Sequence, residues 1–522
     1  MAHITKAIAL RKGGEPALID ETGTTTWAEL DVRVNRLVHG LRARGLGRGD
    51  VVALLCGNQR EYFEVMVAGM HAGLVIVPVN WHWVAEELAY VIEDSDAAAL
   101  VVDRRFSAGA VEVSQDPRAS GCRVRIMVGD PAGEAGFEDY ERVLEESAAD
   151  EPQDQTSGGP MFYTSGTTGF PKGVRSSVTK VGLEPAVLEQ FCQAAAVMVQ
   201  LPQDGVTLLD GPAYHSAQWA FSVLSLLGRA STVVMRQKFD PVETLRVIDE
   251  YSVTNVHLVP TQFIRLLKLP GGLRAGFDGS SLVSVMHGAA PCPEAVKREM
   301  LKWWGPVISE YYGGTEGGFL TIISGEEWLA HPGSLGRPTP TSELMIVGDD
   351  GRRCGAGEEG QIYFRSLVGG DFEYHKAPDK TEAAHLGPGV ATLGDVGYLD
   401  EEGYLFLSDR KIDMIVSGGV NIYPAEIEAV LVGHRVVADA AVFGIPDDDM
   451  GEQVKAAVQL VEGVSPSDEL AAELVAHTRE HLAAYKVPRS VDFEERLPRS
   501  ATGKLYKRLL RDPYWEGSGR RI

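Results

Sequence analysis

Over its first 270 residues the chain alternates between strand-like and helix-like segments, and no other feature restricts its fold as strongly. Leu30, Val34, Leu37, Val38 and Leu41 recur at helical spacing, and Val51–Leu55 follows as a short apolar run. A helical stretch around Tyr62–Met70, a strand at Leu74–Val79, a helix near Glu86–Ile92 and a strand at Ala98–Val102 continue the rhythm. It returns as Thr232–Met235, Val242–Tyr251 and Asn255–Val259. Such alternation predicts an α/β fold of parallel sheets covered by helices. Ligands in folds of this kind sit beyond the carboxyl ends of the strands, where the loops carry the chemistry.

From Gly336 to Asp409 the texture changes to short strands and Gly-rich turns such as Asp350-Gly351 and Glu402-Gly403-Tyr404. After Arg410 comes a compact α+β segment: a helix near Ala425–Val432, strands at Ala440–Phe443 and Lys455–Leu460, and a helix near Glu469–Leu482. At 522 residues the chain is too long for one ordinary core. We therefore expect a large N-terminal domain over 1–409 with a β-rich subdomain at about 336–409, a hinge at 410–412, and a smaller, mobile C-terminal domain over 413–522. Glu151–Gly159 reads as a polar surface loop.

Charge and cysteine content narrow the function. With 49 basic against 73 acidic residues the net charge is −24, which argues against nucleic acid as the main partner. An anionic ligand must then be met by locally placed Lys, Arg or backbone N–H groups. The five cysteines, Cys56, Cys122, Cys192, Cys292 and Cys354, show no metal-ligand or redox spacing and read as reduced thiols of a cytoplasmic protein. The N-terminal residues lack a signal-peptide pattern, and no run approaches a membrane span. Peripheral membrane contact and a homodimer are both compatible with the sequence.

The sharpest local signal is Tyr163-Thr164-Ser165-Gly166-Thr167-Thr168-Gly169-Phe170-Pro171-Lys172-Gly173. Glycines let backbone N–H groups approach a polyphosphate, hydroxyls add further bonds, and the lysine adds charge. It is not a Walker loop, because Pro171 precedes the lysine and Gly173 follows it. This stretch resembles the phosphate-binding signature of the adenylate-forming superfamily, and more specifically its acyl-CoA synthetase branch. Further segments follow in the family's order, so the resemblance extends from about Glu15 to Arg511.

The resemblance implies roles for those segments. Tyr311-Tyr312-Gly313-Gly314-Thr315-Glu316 is similar to the element in which Tyr312 would stack on adenine, Thr315 contact the α-phosphate and Glu316 bind Mg²⁺. Gly288-Ala289-Ala290-Pro291 resembles the segment packed against the base, and Asp395 would accept bonds from the ribose hydroxyls with Arg410 alongside. Ser417–Glu428 is similar to the segment that lines the pantetheine tunnel after the C-terminal domain rotates, with Gly419 closest to the thiol arm. Lys504, in Pro498-Arg499-Ser500-Ala501-Thr502-Gly503-Lys504, would bridge the substrate carboxylate and the α-phosphate. His215, Gln218 and Trp219 would border the acyl group.

The implied activity is an acid–thiol ligase: a carboxylic acid and ATP form an acyl-adenylate, and coenzyme A takes the acyl group. Apolar residues around Trp219, Phe221 and Leu224 suggest a fatty, alicyclic or steroid-derived acid. Two positions depart from the family pattern. Ile412 stands where the hinge usually carries Asp or Lys, and Gln218 stands where glycine is common. A glutamine amide buried against an alkyl chain would need a partner, which points toward an oxygenated or ring-bearing acid. A peptide-synthetase adenylation domain is disfavoured, because Ala213–Val223 offers no acid to pair a substrate ammonium. An acyl-AMP ligase that loads a carrier protein and a non-catalytic acyl-binding paralogue are the alternatives.

Overall fold

The computed structural model describes residues 4–134, 136–164, 171–176, 180–289, 292, 294–348, 350–410, 415–422, 424–498 and 507–516. Two parallel sheets form its body. In the first, Val206–Leu209, Asn255–Leu258, Ser284–His287 and Ile308–Gly314 run side by side in parallel, with Val256 opposite Val285 and Met286 opposite Ser309. Antiparallel Gly318–Ile323 and the neighbouring strands extend this sheet to nine. The second sheet has six strands, centred on Val51–Leu55 between Val75–Pro78 and Ala97–Asp103. Every residue of Val51–Leu55 is buried, as expected of a parallel strand covered on both faces.

Helices fill the space between the sheets. Trp27–Ala43 starts at Thr26, whose hydroxyl accepts the Glu29 N–H while the Glu29 carboxylate accepts the Thr26 N–H. Its buried face, Leu30, Val34, Leu37, Val38 and Leu41, is the stripe read from the sequence. These residues belong to one apolar cluster that takes in Val52 and Ile76 of one sheet and Leu209 and Val233 of the other. A five-stranded sheet, including Ser342–Val347, Gly360–Ser366, Val390–Leu399 and Leu405–Arg410, forms the β-rich part. The segment from Ile415 onward has its own core. There Ile427, Leu431 and Leu474 of two helices pack on Val442 and Val454 of the Val437–Asp447/Gly451–Leu460 hairpin.

One expectation fails. Glu151–Gly159 is not wholly a surface loop, because Ser157–Gly159 is buried and Gly159–Pro160 pairs in parallel with Val75–Pro78. Gly158 makes this fit possible: a Cβ there would lie 2.2 Å from the carbonyl oxygens of both Gly69 and Leu74. Ile412 lies outside the described residues.

Candidate functional site

The carboxyl ends of the parallel strands open onto one cavity of about 1400 Å³. Asp210–Pro212 follow Val206–Leu209, Val259 follows Asn255–Leu258, Ala289 follows Ser284–His287, and Thr315 and Glu316 follow Ile308–Gly314. The topology therefore delivers separate stretches of sequence to one place. Thr164, His215, Gln218, Trp219, Ala289, Tyr312, Gly313, Thr315, Glu316, Asp395 and Gly419 all border this cavity.

Several of these residues are wired together. The Tyr312 hydroxyl donates to the Asp395 carboxylate at 2.9 Å, although the two are 83 residues apart. Arg410 lies opposite Asp395 in the register of two antiparallel strands. The Ser216 and Thr315 hydroxyls are 2.9 Å apart. The Tyr374 hydroxyl donates to Glu316 Oε1 at 3.1 Å, and Lys172 Nζ lies 4.7 Å from the centre of the Tyr374 ring. Burial pushes the Glu316 carboxyl above the usual range, with Lys172 pulling the other way. Ser216 and Tyr374 were not singled out from the sequence; Tyr374 is 58 residues from Glu316 and no motif marks it.

Glu316 is the candidate metal ligand, and its setting suits a hard cation. Burial penalises the bare carboxylate, and one acidic side chain plus phosphate oxygens is a donor set that Mg²⁺ accepts. Among the described residues, the group of His, Cys and acidic side chains able to converge on a metal is His477, Glu480 and His481, which does not line the cavity.

The structure corrects the reading of Gln218. Its amide nitrogen lies 3.0 Å from His257 Nδ1, and His257 Nε2 lies 3.1 Å from the Tyr311 hydroxyl. The amide has its partner within the fold, so it gives no reason to expect an oxygenated substrate. Gln218, His257 and Tyr311 instead form a wall, with Phe221 stacked on His257 at 4.8 Å and Phe319 set edge-on to Tyr311 at 5.1 Å. The space that Gly288 leaves is filled by this wall, since a Cβ there would fall 2.6 Å from the Tyr311 ring. Ala289, beside it, holds a left-handed backbone at φ +65°.

His215 caps the helix Ser216–Val223 from the cavity side, and its Nε2 has no partner among the described residues; nor has Trp219 Nε1 one turn on. Burial, helped by nearby His82, holds the His215 imidazole down to about 4. It is therefore neutral across the physiological range and suited to positioning through a hydrogen bond. We expect His215→Phe to lower adenylation roughly tenfold, short of the 10²–10⁴ that losing a general base brings. The pH profile from 6 to 8 should keep its shape. A wild-type limb near pH 6.5 that vanishes in the variant would contradict this.

Ser165, Gly166, Thr167, Thr168, Gly169, Ala290 and Lys504 lie outside the described residues, as does the side chain of Arg410. Gly418, Gly419 and Val420 meet the cavity from the segment after residue 410, together with Tyr485 and Lys486. Gly419 adopts φ +79°, and a Cβ there would lie 2.7 Å from Val259 Cγ2.

Comparison with known proteins agrees with this arrangement. The family model described as "AMP-binding enzyme" matches residues 5–368, and that described as "AMP-binding enzyme C-terminal domain" matches 426–504. A fatty acid–[acyl-carrier-protein] ligase, ScoC, from Streptomyces coeruleorubidus is 31% identical over 97% of this chain and 95% of its own. A feruloyl-CoA synthase from an Amycolatopsis species is 34% identical, with the same coverage of each. Among solved structures, a double mutant of o-succinylbenzoate CoA synthetase (MenE) from Bacillus subtilis, bound with its product analogue OSB-NCoA, superposes with a TM-score of 0.82. Its identity is 28%, and 98% of each chain is covered. The same enzyme in complex with its acyl-adenylate intermediate OSB-AMP, at equal identity and coverage, gives only 0.66.

Proposed function

The chain belongs to the adenylate-forming AMP-binding enzymes, and from that premise we propose that it is an acyl-CoA synthetase for a hydrophobic carboxylic acid. One observation carries the reading: a single cavity is walled both by Thr164, Thr315 and Glu316 and by the Gly418–Val420 turn. The first set suits a nucleotide triphosphate, and the turn suits an incoming thiol arm. The better superposition on the MenE complex with a product analogue supports assigning this arrangement to the thiol step.

In the first step a carboxylate oxygen attacks the α-phosphorus of ATP and pyrophosphate leaves. Tyr312 would cover the adenine, Asp395 with Arg410 would hold the ribose, Thr164 through Gly169 with Lys172 would cradle the phosphates, and Thr315 would contact the α-phosphate. Mg²⁺, held by Glu316, would supply charge neutralisation on the phosphate oxygens. Lys504 would serve this step. The C-terminal domain, over 413–522, then turns about 410–412. The coenzyme A thiolate attacks the acyl carbon beside Gly419, AMP leaves, and the thiol proton passes to solvent.

The acid would lie between the helices Pro185–Met198 and Ser216–Val223, against Leu188, Cys192, Trp219 and Leu224. We place it in the fatty, alicyclic or steroid-derived class, and the Gln218–His257–Tyr311 wall favours a compact ring-bearing member. The test is thioester formation across a panel of acids, read by mass spectrometry, for the wild type and Tyr311→Ala. Removing the ring should raise the preference for long linear acids by roughly tenfold or more. An unchanged profile would place the acyl group elsewhere. A carrier-protein acceptor is the second reading, prompted by the ScoC relative. Turnover with a carrier protein and none with coenzyme A would favour it.

A further inference from the structure

At the edge of the cavity, where Lys486 borders it, lies a cluster of charges that the reaction does not itself use. Lys486 Nζ lies 2.6 Å from Glu87 Oε1 and 2.7 Å from Glu426 Oε1, and all three side chains are almost wholly buried. Lys486 and Glu426 fall in the segment matched as the C-terminal domain, whereas Glu87 sits 399 residues from Lys486 in the helix Ala85–Asp94. The second Glu87 oxygen accepts the N–H of Ala483 at 3.0 Å as well as that of Val84, the N-cap residue of its own helix. One carboxylate thus receives both an ammonium and a backbone N–H from the other domain. Next to it, Asn80 donates to the Tyr485 hydroxyl at 2.9 Å.

We propose that Glu87 is a positioning residue for the thiol step, a latch that fixes the C-terminal domain in the orientation that brings Gly418–Val420 to the cavity. Removing one member of a buried charge cluster leaves the remainder desolvated and uncompensated, so the geometry is demanding even where the net gain is small. Glu426 remains with Lys486 wherever the domain goes, because both belong to it. Glu87 alone depends on orientation: once the domain turns away, its carboxylate returns to water. Among the described residues, the charged contacts of Arg265 with Asp449 and of Lys268 with the Asp448 carbonyl also cross the boundary, and these are exposed and open to screening by salt. Glu87 is therefore the contact best placed to set how often the thiol-step arrangement is populated.

The inference rests on the ligase reading, and the test separates the two. In Glu87→Ala, acid-dependent ATP–pyrophosphate exchange should stay within about twofold of wild type, which also shows that the fold survives loss of the contact to Val84. Acyl transfer from supplied acyl-AMP to coenzyme A should fall at least about tenfold. Glu87→Lys should fall further, since it sets two ammonium groups together, and adding Lys486→Glu should recover part of the loss by restoring one cation between two carboxylates. Energy transfer between fluorophores on the exposed faces of the two domains should shift toward the undocked arrangement in the same order, whatever the acceptor. Equal loss of both half-reactions, or transfer rates and domain separation that do not move, would overturn the latch. A wild type that never acylates coenzyme A, but in which Glu87→Lys still shifts the separation, would sink the ligase reading and leave the latch standing.

Discussion

Lys504→Ala should lose adenylation by about 10²–10³-fold, the scale of one removed transition-state donor. Two anions must meet in that step, the substrate carboxylate and the α-phosphate, on a protein whose net charge is −24. Among the described residues, Lys238, Arg265 and Lys486 border the cavity. Arg265 pairs with Asp449, the Lys486 ammonium is held by two carboxylates, and Lys172 lies over the Tyr374 ring. A further cation is needed where charge builds up, and the resemblance assigns that role to Lys504. Transfer from supplied acyl-AMP to coenzyme A should be affected much less, because the lysine would leave the site when the domain turns. Single-turnover rates for each half-reaction check this. An equal fall in both would remove Lys504 from the first step.

Gly419→Leu should give the opposite split, abolishing thioester formation while leaving pyrophosphate exchange largely intact. Two physical effects act together. At φ +79° any side chain strains the backbone, and a Cβ would lie 2.7 Å from Val259 Cγ2, inside van der Waals contact. A leucine would hold the Ser417–Ile422 hairpin off the cavity wall and close the approach to the acyl carbon. The backbone strain falls on the C-terminal segment, and the clash with Val259 arises only when that segment is docked, so the first half-reaction is the internal control. Equal loss of pyrophosphate exchange would show that the residue supports the fold rather than the acceptor channel.

The parallel strands were legible in the sequence because they are short apolar runs buried on both faces; Val51–Leu55 and Thr232–Met235 fall where periodicity placed them. Motif residues such as Tyr312, Thr315 and Asp395 were legible because they lie within or just after strands that border one cavity. Partners from distant strands were not. The Gln218 amide looked unsatisfied only because His257, 39 residues on, sits in the strand Asn255–Leu258 rather than in the helix that carries Gln218. Ser157–Gly159 looked like surface because its composition is polar, whereas the missing side chain of Gly158 is what lets the backbone enter the sheet. The Glu87–Lys486 contact joins the two domains and carries no local signature at all.

A rapid-mixing experiment directly tests the proposed two-step path through an acyl-adenylate. The enzyme, an accepted acid and α-labelled ATP are mixed without coenzyme A, quenched at intervals, and in parallel chased with coenzyme A. The predicted result is labelled acyl-AMP and pyrophosphate building up to about one equivalent of enzyme, followed on the chase by acyl-CoA and AMP in equal amount. Thioester formation accompanied by ADP and phosphate, with no acyl-AMP at any time, would contradict it.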